Sequence, residues 1–179
     1  AEGSSNNKYL EIYNNSDQSV DLTQYAFPNV SNDPTTVGEY EYWNTFDAGA
    51  TIEPFGIYVI AHPSADGAIL AEADMTFTYL SNGDDGFKLV YGTEDSFTVV
   101  DELGDWQGDP GNGWEVCGIS NGTQNRTLVK KDGVEGNTDW YQVGNDILGL
   151  ETDGWGGFKS TLDKFGKQIA TTDIRSGGG

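Results

Sequence analysis

Short apolar segments separated by polar turns are the feature that most limits what this chain can fold into. They recur about every dozen residues, as strands of a sandwich or barrel do, and long helical periodicity is almost absent. Lys8–Tyr13, for example, alternates as a half-buried strand does and stops at a polar turn. Strands are predicted at residues 8–13, 20–27, 41–46, 57–61, 87–91, 97–101 and 125–131. The pattern predicts an all-β sandwich.

Three segments carry finer predictions. Ile57–Ala61 is a continuous apolar run of strand length, which indicates a central strand buried on both faces. Residues 87–91 and 97–101 are predicted to pair as a hairpin. Ser64 is predicted to cap a short, weak helix that runs to Asp74.

The sequence changes character near residue 145. Residues 1–144 carry the strand pattern, whereas residues 145–179 are Gly-rich with scattered aromatic side chains and end in three glycines. Residues 168–175 (QIATTDIR) nevertheless read as a β segment. We therefore expect one sandwich domain, residues 1–144, followed by a C-terminal extension, residues 145–179, that adds a Gly-rich β segment.

Charge and cysteine content exclude several classes of function. The chain has 29 Asp and Glu against 9 Lys and Arg, a formal net charge of -20, so it lacks the cations that bind nucleic acid or anionic lipid. One Cys and one His exclude an intrachain disulfide and a zinc cluster. The sequence pI near 4.1 is typical of a protein in a saline exterior, so we expect a secreted, extracellular chain.

A loop at residues 104–113 is rich in Gly, Asp and Trp and offers oxygen ligands. Asp105, Asp109 and Asn112 are the residue types that Ca²⁺ prefers, and they are the candidate metal ligands. Their spacing matches neither an EF-hand nor a nonapeptide repeat. Ordinary turn chemistry is the other interpretation, because Asp and Asn favour turns through their own side chains.

Other reactive side chains have a structural interpretation beside the functional one. His62 follows a strand without a nearby nucleophile, so a structural histidine is favoured over a general base. Carboxylate pairs such as Asp84 with Asp85 and Glu94 with Asp95 are expected by chance in a chain this acidic. Four tryptophans either form a stacking face for sugars or peptides or pack in the core: Trp106, Trp114, Trp140 and Trp155.

Six phrases stand in a defined order along residues 2–142. They are EGSSNNKYLEIYN (2–14), VDLTQY (20–25), YVIAH with AIL (58–62 and 68–70), NGDD (82–85), DPG with Trp114 (109–111) and TLVKK (127–131). Together they resemble the lamin tail domain family, in its bacterial extracellular branch. The resemblance implies an immunoglobulin-like β-sandwich and identifies no active site.

The resemblance also raises an expectation about assembly. Members of this family usually carry a strand immediately before the EGSSNN phrase, which here follows Ala1 directly. A sandwich without that strand exposes an edge, which sheet proteins avoid or exploit. We expect a β segment of a neighbouring subunit to complete it through these residues: Gln168, Ile169, Ala170, Thr172 and Ile174.

These considerations lead to a functional hypothesis. We expect a non-catalytic extracellular module, structural or adhesive, that assembles head to tail into filaments by strand addition. Its partners would be further copies of itself, with a cell-surface or matrix partner, and no cofactor apart from the Ca²⁺ considered above. The alternative is an accessory domain that tethers or positions a secreted nuclease or other hydrolase, because this branch often stands ahead of such catalytic domains.

Overall fold

The computed structural model describes residues 1–3, 5–116, 119–130, 135–136, 138 and 140, and the backbone of 147–152. These residues form short strands, one 3₁₀ turn (Leu22–Gln24) and one helical turn, α1 (Gly67–Leu70). The strands are β1 (Tyr9–Tyr13), β2 (Val20–Asp21), β3 (Tyr25–Ala26), β4 (Thr51–Ile52), β5 (Ile57–Ala61), β6 (Met75–Thr76), β7 (Phe87–Thr93), β8 (Ser96–Leu103), β9 (Arg126–Lys130) and β10 (Ile147–Thr152). The predicted all-β class is confirmed.

Two three-stranded sheets carry the fold. In one, β5 lies between β1, which is antiparallel to it, and β6, which is parallel to it. In the other, β7 lies between β3 and β8 and is antiparallel to both. The β7–β8 pair is the hairpin predicted from sequence. Two further antiparallel pairs, β2–β4 and β9–β10, complete the described strands.

The main core lies between the two sheets. Tyr58 and Ile60 of β5 pack in one cluster with Phe87 of β7, and Phe27 and Phe46 join them from the connecting segments. The ring centroids of Phe27 and Phe46 are 5.2 Å apart, which is close aromatic packing. Apolar side chains of both sheets thus share one interior, as in a sandwich.

The opposite face of β5 is buried as well. Val59 and Ala61 pack in a second cluster with Tyr9 of β1 and with Ala65 and Ile69 from the segment around α1. Side chains alternate between the two faces of a strand, so consecutive residues of β5 serve two different cores. The prediction that this strand is central and buried on both faces is confirmed.

The predicted strand at residues 41–46 is wrong. Only isolated bridges occur there, from Tyr42 to Asn29 and from Thr45 to Ala26. The carbonyl of Asn29 accepts the N–H groups of both Glu41 and Tyr42, at 3.0 and 3.1 Å, so a regular ladder does not continue. The Glu41 carboxylate instead holds the preceding loop through the N–H of Ser31, at 2.9 Å.

Two other predicted segments are shorter than expected. Residues 20–27 are divided by the 3₁₀ turn, because the Asp21 side chain accepts the N–H of Thr23 at 2.8 Å and caps that turn. The helix begins after Asp66 and not at Ser64, whose N–H donates to Nδ1 of His62 at 3.0 Å. Asp74 lies outside the helix because its carboxylate accepts the N–H of Val59, at 2.8 Å.

A third apolar cluster lies beside the main core. Trp114, Val116 and Trp140 pack together, with Leu103 of β8 and Leu128 of β9 against them. Through these contacts β9 is joined to the β8 end of the second sheet. Within the described ranges, no helix has the length and apolar character needed to cross a membrane.

Candidate functional site

A cavity of about 650 Å³ runs along β1, between that strand and strands β8 and β9. Ala1 and Glu2 line one end of it, and Asn14–Ser16 line the other. We call this cavity the β1–β9 slot and define it by six side chains of its walls: Leu10, Ile12, Leu89, Leu103, Thr127 and Leu128.

The first residues of the chain show how wide the slot is at one end. The amino group of Ala1 donates to the Tyr9 carbonyl at 2.6 Å, and the Tyr9 N–H donates to the Ala1 carbonyl at 3.2 Å. On the other side, the N–H of Glu2 donates to the carbonyl of Arg126 in β9 at 2.9 Å. Residues 1–3 therefore take a single strand position between β1 and β9. Ala1 and Glu2 also belong to the lining of the slot.

The apolar side chains in the walls of the slot are incompletely covered. Leu10, Ile12, Leu89 and Leu103 pack against the main core but are only half-buried. Leu128 is half-buried in the same way. By contrast, Ile60, which belongs to the same main core, is fully buried. Apolar side chains that face a cavity still have accessible surface. Burying that surface under a further apolar segment would be favourable.

Two ion pairs lie on the lining of the slot. Lys88 Nζ lies 2.9 Å from Oε2 of Glu102, and their side chains are 15% and 3% exposed. Lys88 also lies 4.5 Å from the ring centroid of Trp106. Lys130 forms a second ion pair with Asp101. Because each cation has an anion beside it, neither pair presents a single charge to the slot.

Glu2 lies at the end of the slot where residues 1–3 join both sheets. Burial raises the pKa of the Glu2 carboxyl, while a hydrogen bond from the N–H of Asn125 and the charge of Lys8 oppose part of that rise. Lys8 is itself buried, and its ammonium donates to Oδ1 of Asn82. This end of the slot, which we call its mouth, is thus polar.

Asp85 lies on the slot lining near the same end. Burial raises the pKa of its carboxyl, and the nearby charge of Asp84 raises it further. The N–H of Asn32, which donates to Asp85 at 3.0 Å, and the charge of Lys8 act in the opposite direction. Two carboxyls at this end, Glu2 and Asp85, are therefore more easily protonated than ordinary ones.

The loop predicted to hold Ca²⁺ has well-defined local hydrogen bonds. Asp105 accepts the N–H of Gln107 at 2.9 Å, and Asp109 accepts the N–H of Gly111 at 2.7 Å. Both are side-chain turns of the kind that Asp favours, and Asn112 is exposed beside them. Among the side chains that the structure describes, no three His, Cys, Asp or Glu residues converge on one point. Calcium binding by this loop stays a prediction.

The remaining candidates have structural partners. Trp106, Trp114 and Trp140 are buried, so for these three the core interpretation is correct and a sugar-stacking face is not. Glu94 accepts a long hydrogen bond of 3.4 Å from the hydroxyl of Tyr40. The predicted assembly residues, Gln168, Ile169, Ala170, Thr172 and Ile174, lie outside the described residues, as do Cys117 and Trp155.

The slot includes one residue that sequence reasoning missed. Thr127 appears in the sequence as part of a strand pattern and of the TLVKK phrase, yet it is buried and is one of the residues that line the slot. The alternation of β9 indicates that it points inward but does not show that the cavity lies in front of it. That depends on the distance between β1 and β9, which is a tertiary property.

No protein-family model matches the chain, and no curated protein matches it either.

Proposed function

We propose that this chain is a non-catalytic, secreted β-sandwich module of the lamin tail type, and that its copies assemble head to tail. In this proposal, the β1–β9 slot of one copy receives residues 168–175 of the next copy as an added strand. The observation that carries it is the cavity beside β1, which half-buried apolar side chains of β1, β7 and β8 line. Main-chain hydrogen bonds supply affinity in such contacts, and alternate side chains supply specificity.

One of the two faces of the donor segment, residues 168–175, suits the apolar side chains of the slot. In a regular strand, Ala170, Thr172 and Ile174 point one way, while Thr171, Asp173 and Arg175 point the other way with Ile169. Only the second face carries charges. Because burying a charge is costly, the uncharged face is the one that would enter the slot.

The connection is long enough to reach another copy. Strand β10 ends at Thr152, so 15 residues (153–167) precede Gln168. Fully extended, they span about 50 Å. A domain of this size is about 40 Å across. The segment can therefore leave its own domain and enter the slot of a neighbour, and a chain of such contacts that does not close produces a filament.

Deletion of residues 167–179 tests the proposal. We expect the full-length chain to form filaments in electron micrographs and the deleted chain to remain monomeric by size-exclusion chromatography. Filaments of unchanged abundance after the deletion would contradict the donor-strand proposal. Discrete monomers of the full-length chain would favour the alternative, an accessory domain of a secreted hydrolase.

A matched pair of substitutions tests which face enters. Thr172→Asp places a charge on the inward face, and Thr171→Asp places the same charge one residue away on the outward face. A strand reverses its faces with each residue, so only Thr172→Asp should abolish assembly. Equal loss of assembly in both variants would argue against insertion as a regular strand.

A further inference from the structure

Lys8 is a buried lysine whose ammonium contacts an amide instead of a carboxylate. The residue is 6% exposed, and its Nζ donates a hydrogen bond to Oδ1 of Asn82. Lys88 and Lys130 each have a carboxylate at contact distance, which Lys8 lacks among the described residues. A buried charge is costly unless an opposite charge pairs with it. A reaction that removes the charge of Lys8 would therefore be favourable.

The backbone on both sides holds the Lys8–Asn82 contact in place. The carbonyl of Lys8 accepts the N–H of His62, directly after β5, at 2.9 Å. The hydroxyl of Ser81 accepts two N–H groups, two and four residues further along the chain, at 2.7 and 2.9 Å. These bonds fix the turn that carries Asn82 and leads into β7. Two groups that are held in this way meet at little entropic cost, which favours a reaction between them.

A desolvated lysine amine is a nucleophile, and the side chain of asparagine offers it a carbonyl carbon. We propose that Lys8 and Asn82 react to form an isopeptide bond. Nζ bonds to Cγ of Asn82, the bond from Cγ to Nδ2 breaks, and the departing nitrogen leaves as ammonium, so neither an oxidant nor a cofactor is needed. The observed hydrogen bond places Nζ beside Oδ1, which is bonded to the carbon that reacts. Asn82 is exposed, so the ammonium has an exit to solvent.

The nitrogen of Lys8 must lose a proton before it attacks, and two carboxyls are near enough to interact with its charge. Glu2 is the bridge partner of Lys8, and Asp85 follows the turn that carries Asn82. Burial raises the pKa of both carboxyls, and the charge of Lys8 acts on both. Such a carboxylate accepts a proton more readily than an ordinary one and can pass it on to Nδ2. In total, two protons leave Nζ and both depart on the ammonium, which carries the buried charge out of the protein.

The bond would join the two sheets of the sandwich within one copy. Lys8 directly precedes β1 of the first sheet, and Asn82 lies in the turn before β7 of the second. The inference is independent of the proposed assembly, because it uses none of residues 168–175. Deletion of residues 167–179 should therefore leave the bond intact, whatever that deletion does to filaments.

Mass spectrometry of the denatured full-length chain detects the bond. The intact mass should be lower than that of the sequence by one molecule of ammonia. After cleavage at glutamate, residues 3–11 should remain joined to residues 73–94. Cyclisation of Asn82 onto the following backbone would also release ammonia but would join no peptides. Recovery of these two peptides only in unlinked form would overturn the proposal.

Variants assign the bond to its residues. Lys8→Arg keeps a positive charge but lacks the amine, so it should abolish the linked peptides. The matched control is Lys88→Arg, at another largely buried lysine, which should retain them. Combining Glu2→Gln with Asp85→Asn should slow formation of the bond by about a hundredfold and leave most of the purified chain unlinked. Linked peptides in Lys8→Arg would contradict the bond, and full linkage in the double variant would contradict the proton transfer.

Discussion

The two halves of this sandwich are filled to different extents. Around β5, the side chains of Val59, Ile60 and Ile69 are almost completely buried by the described residues. Along β1, Leu10 and Ile12 belong to the same sheet but face the slot and stay half-buried. We call these regions the closed half and the open half. The difference separates a region whose core side chains are packed on all sides from one whose apolar side chains face a cavity.

Truncation of a core side chain should distinguish the halves most strongly. Ile60→Ala in the closed half should lower the free energy of unfolding by about 3–4 kcal/mol, because the cavity it leaves cannot collapse. Ile12→Ala in the open half should cost the monomer only about 1 kcal/mol, because its side chain already faces a cavity. Urea unfolding below the assembly concentration measures both. Equal losses would remove the distinction between the halves.

Glycine substitutions test the packing where the open half meets the Trp114 cluster. Gly104 has φ +75°, and an added Cβ would lie 2.7 Å from the Trp114 ring. Gly49 has φ +80° but nothing within 4 Å of an added Cβ. Gly49→Ala therefore measures the cost of the backbone conformation without a steric clash. We expect Gly104→Ala to cost about 3 kcal/mol and Gly49→Ala about 1 kcal/mol in urea unfolding. Similar losses of stability in the two variants would show that the Trp114 ring can move aside at little cost.

The pH dependence of stability tests the mouth of the open half. The folded-state pKa values of Glu2 and Asp85 are raised, so ionising them disfavours the folded state. This penalty is present at neutral pH and is removed as the pH falls through the folded pKa values. Stability should therefore rise as the pH falls from neutral toward the ordinary pKa range of carboxyl groups. Thermal unfolding at each pH measures the rise.

A pair of variants tests whether the rise in stability at lower pH comes from the carboxyl groups at the mouth of the slot. Glu2→Gln should reduce it, whereas Glu72→Gln, which removes an exposed carboxylate elsewhere, should leave it unchanged. The opposite contribution comes from Asp21 and Glu41, whose pKa values are lowered by hydrogen bonds to Thr23 and Thr35. Their stabilisation is lost at lower pH, as they are protonated. A profile that falls steadily from pH 7 would contradict this account.

Salt should have the smallest effect of those considered. Copies with a net charge of -20 repel one another, and dissolved ions screen that repulsion. Raising the salt concentration from 0.05 to 0.5 M should lower the critical concentration for assembly by about threefold. A higher critical concentration in salt would contradict this expectation. It would indicate that attraction between opposite charges holds the copies together.

The sequence predicts the closed half better than the open half. The apolar run at residues 57–61 identifies β5 and its double burial, because both depend on the strand's own composition. The strand predicted at residues 41–46 is wrong, because the side chains of Glu41 and Asn44 hydrogen-bond to the backbone of neighbouring segments. The slot and Thr127 are not predictable from local pattern, since they depend on how far β9 stands from β1.

Exchange of the strand between copies is the central claim, and a mixed disulfide experiment tests it most directly. In a Cys117→Ser background that assembles as the parent does, one chain carries Ile12→Cys, at a half-buried position of the slot, and another carries Thr172→Cys. A disulfide requires Cα atoms about 4.4–6.8 Å apart, a distance typical of facing residues on adjacent strands. The account predicts a disulfide-linked heterodimer in the oxidised mixture of the two chains. Absence of that heterodimer, together with an internal disulfide in a monomeric chain that carries both cysteines, would contradict it.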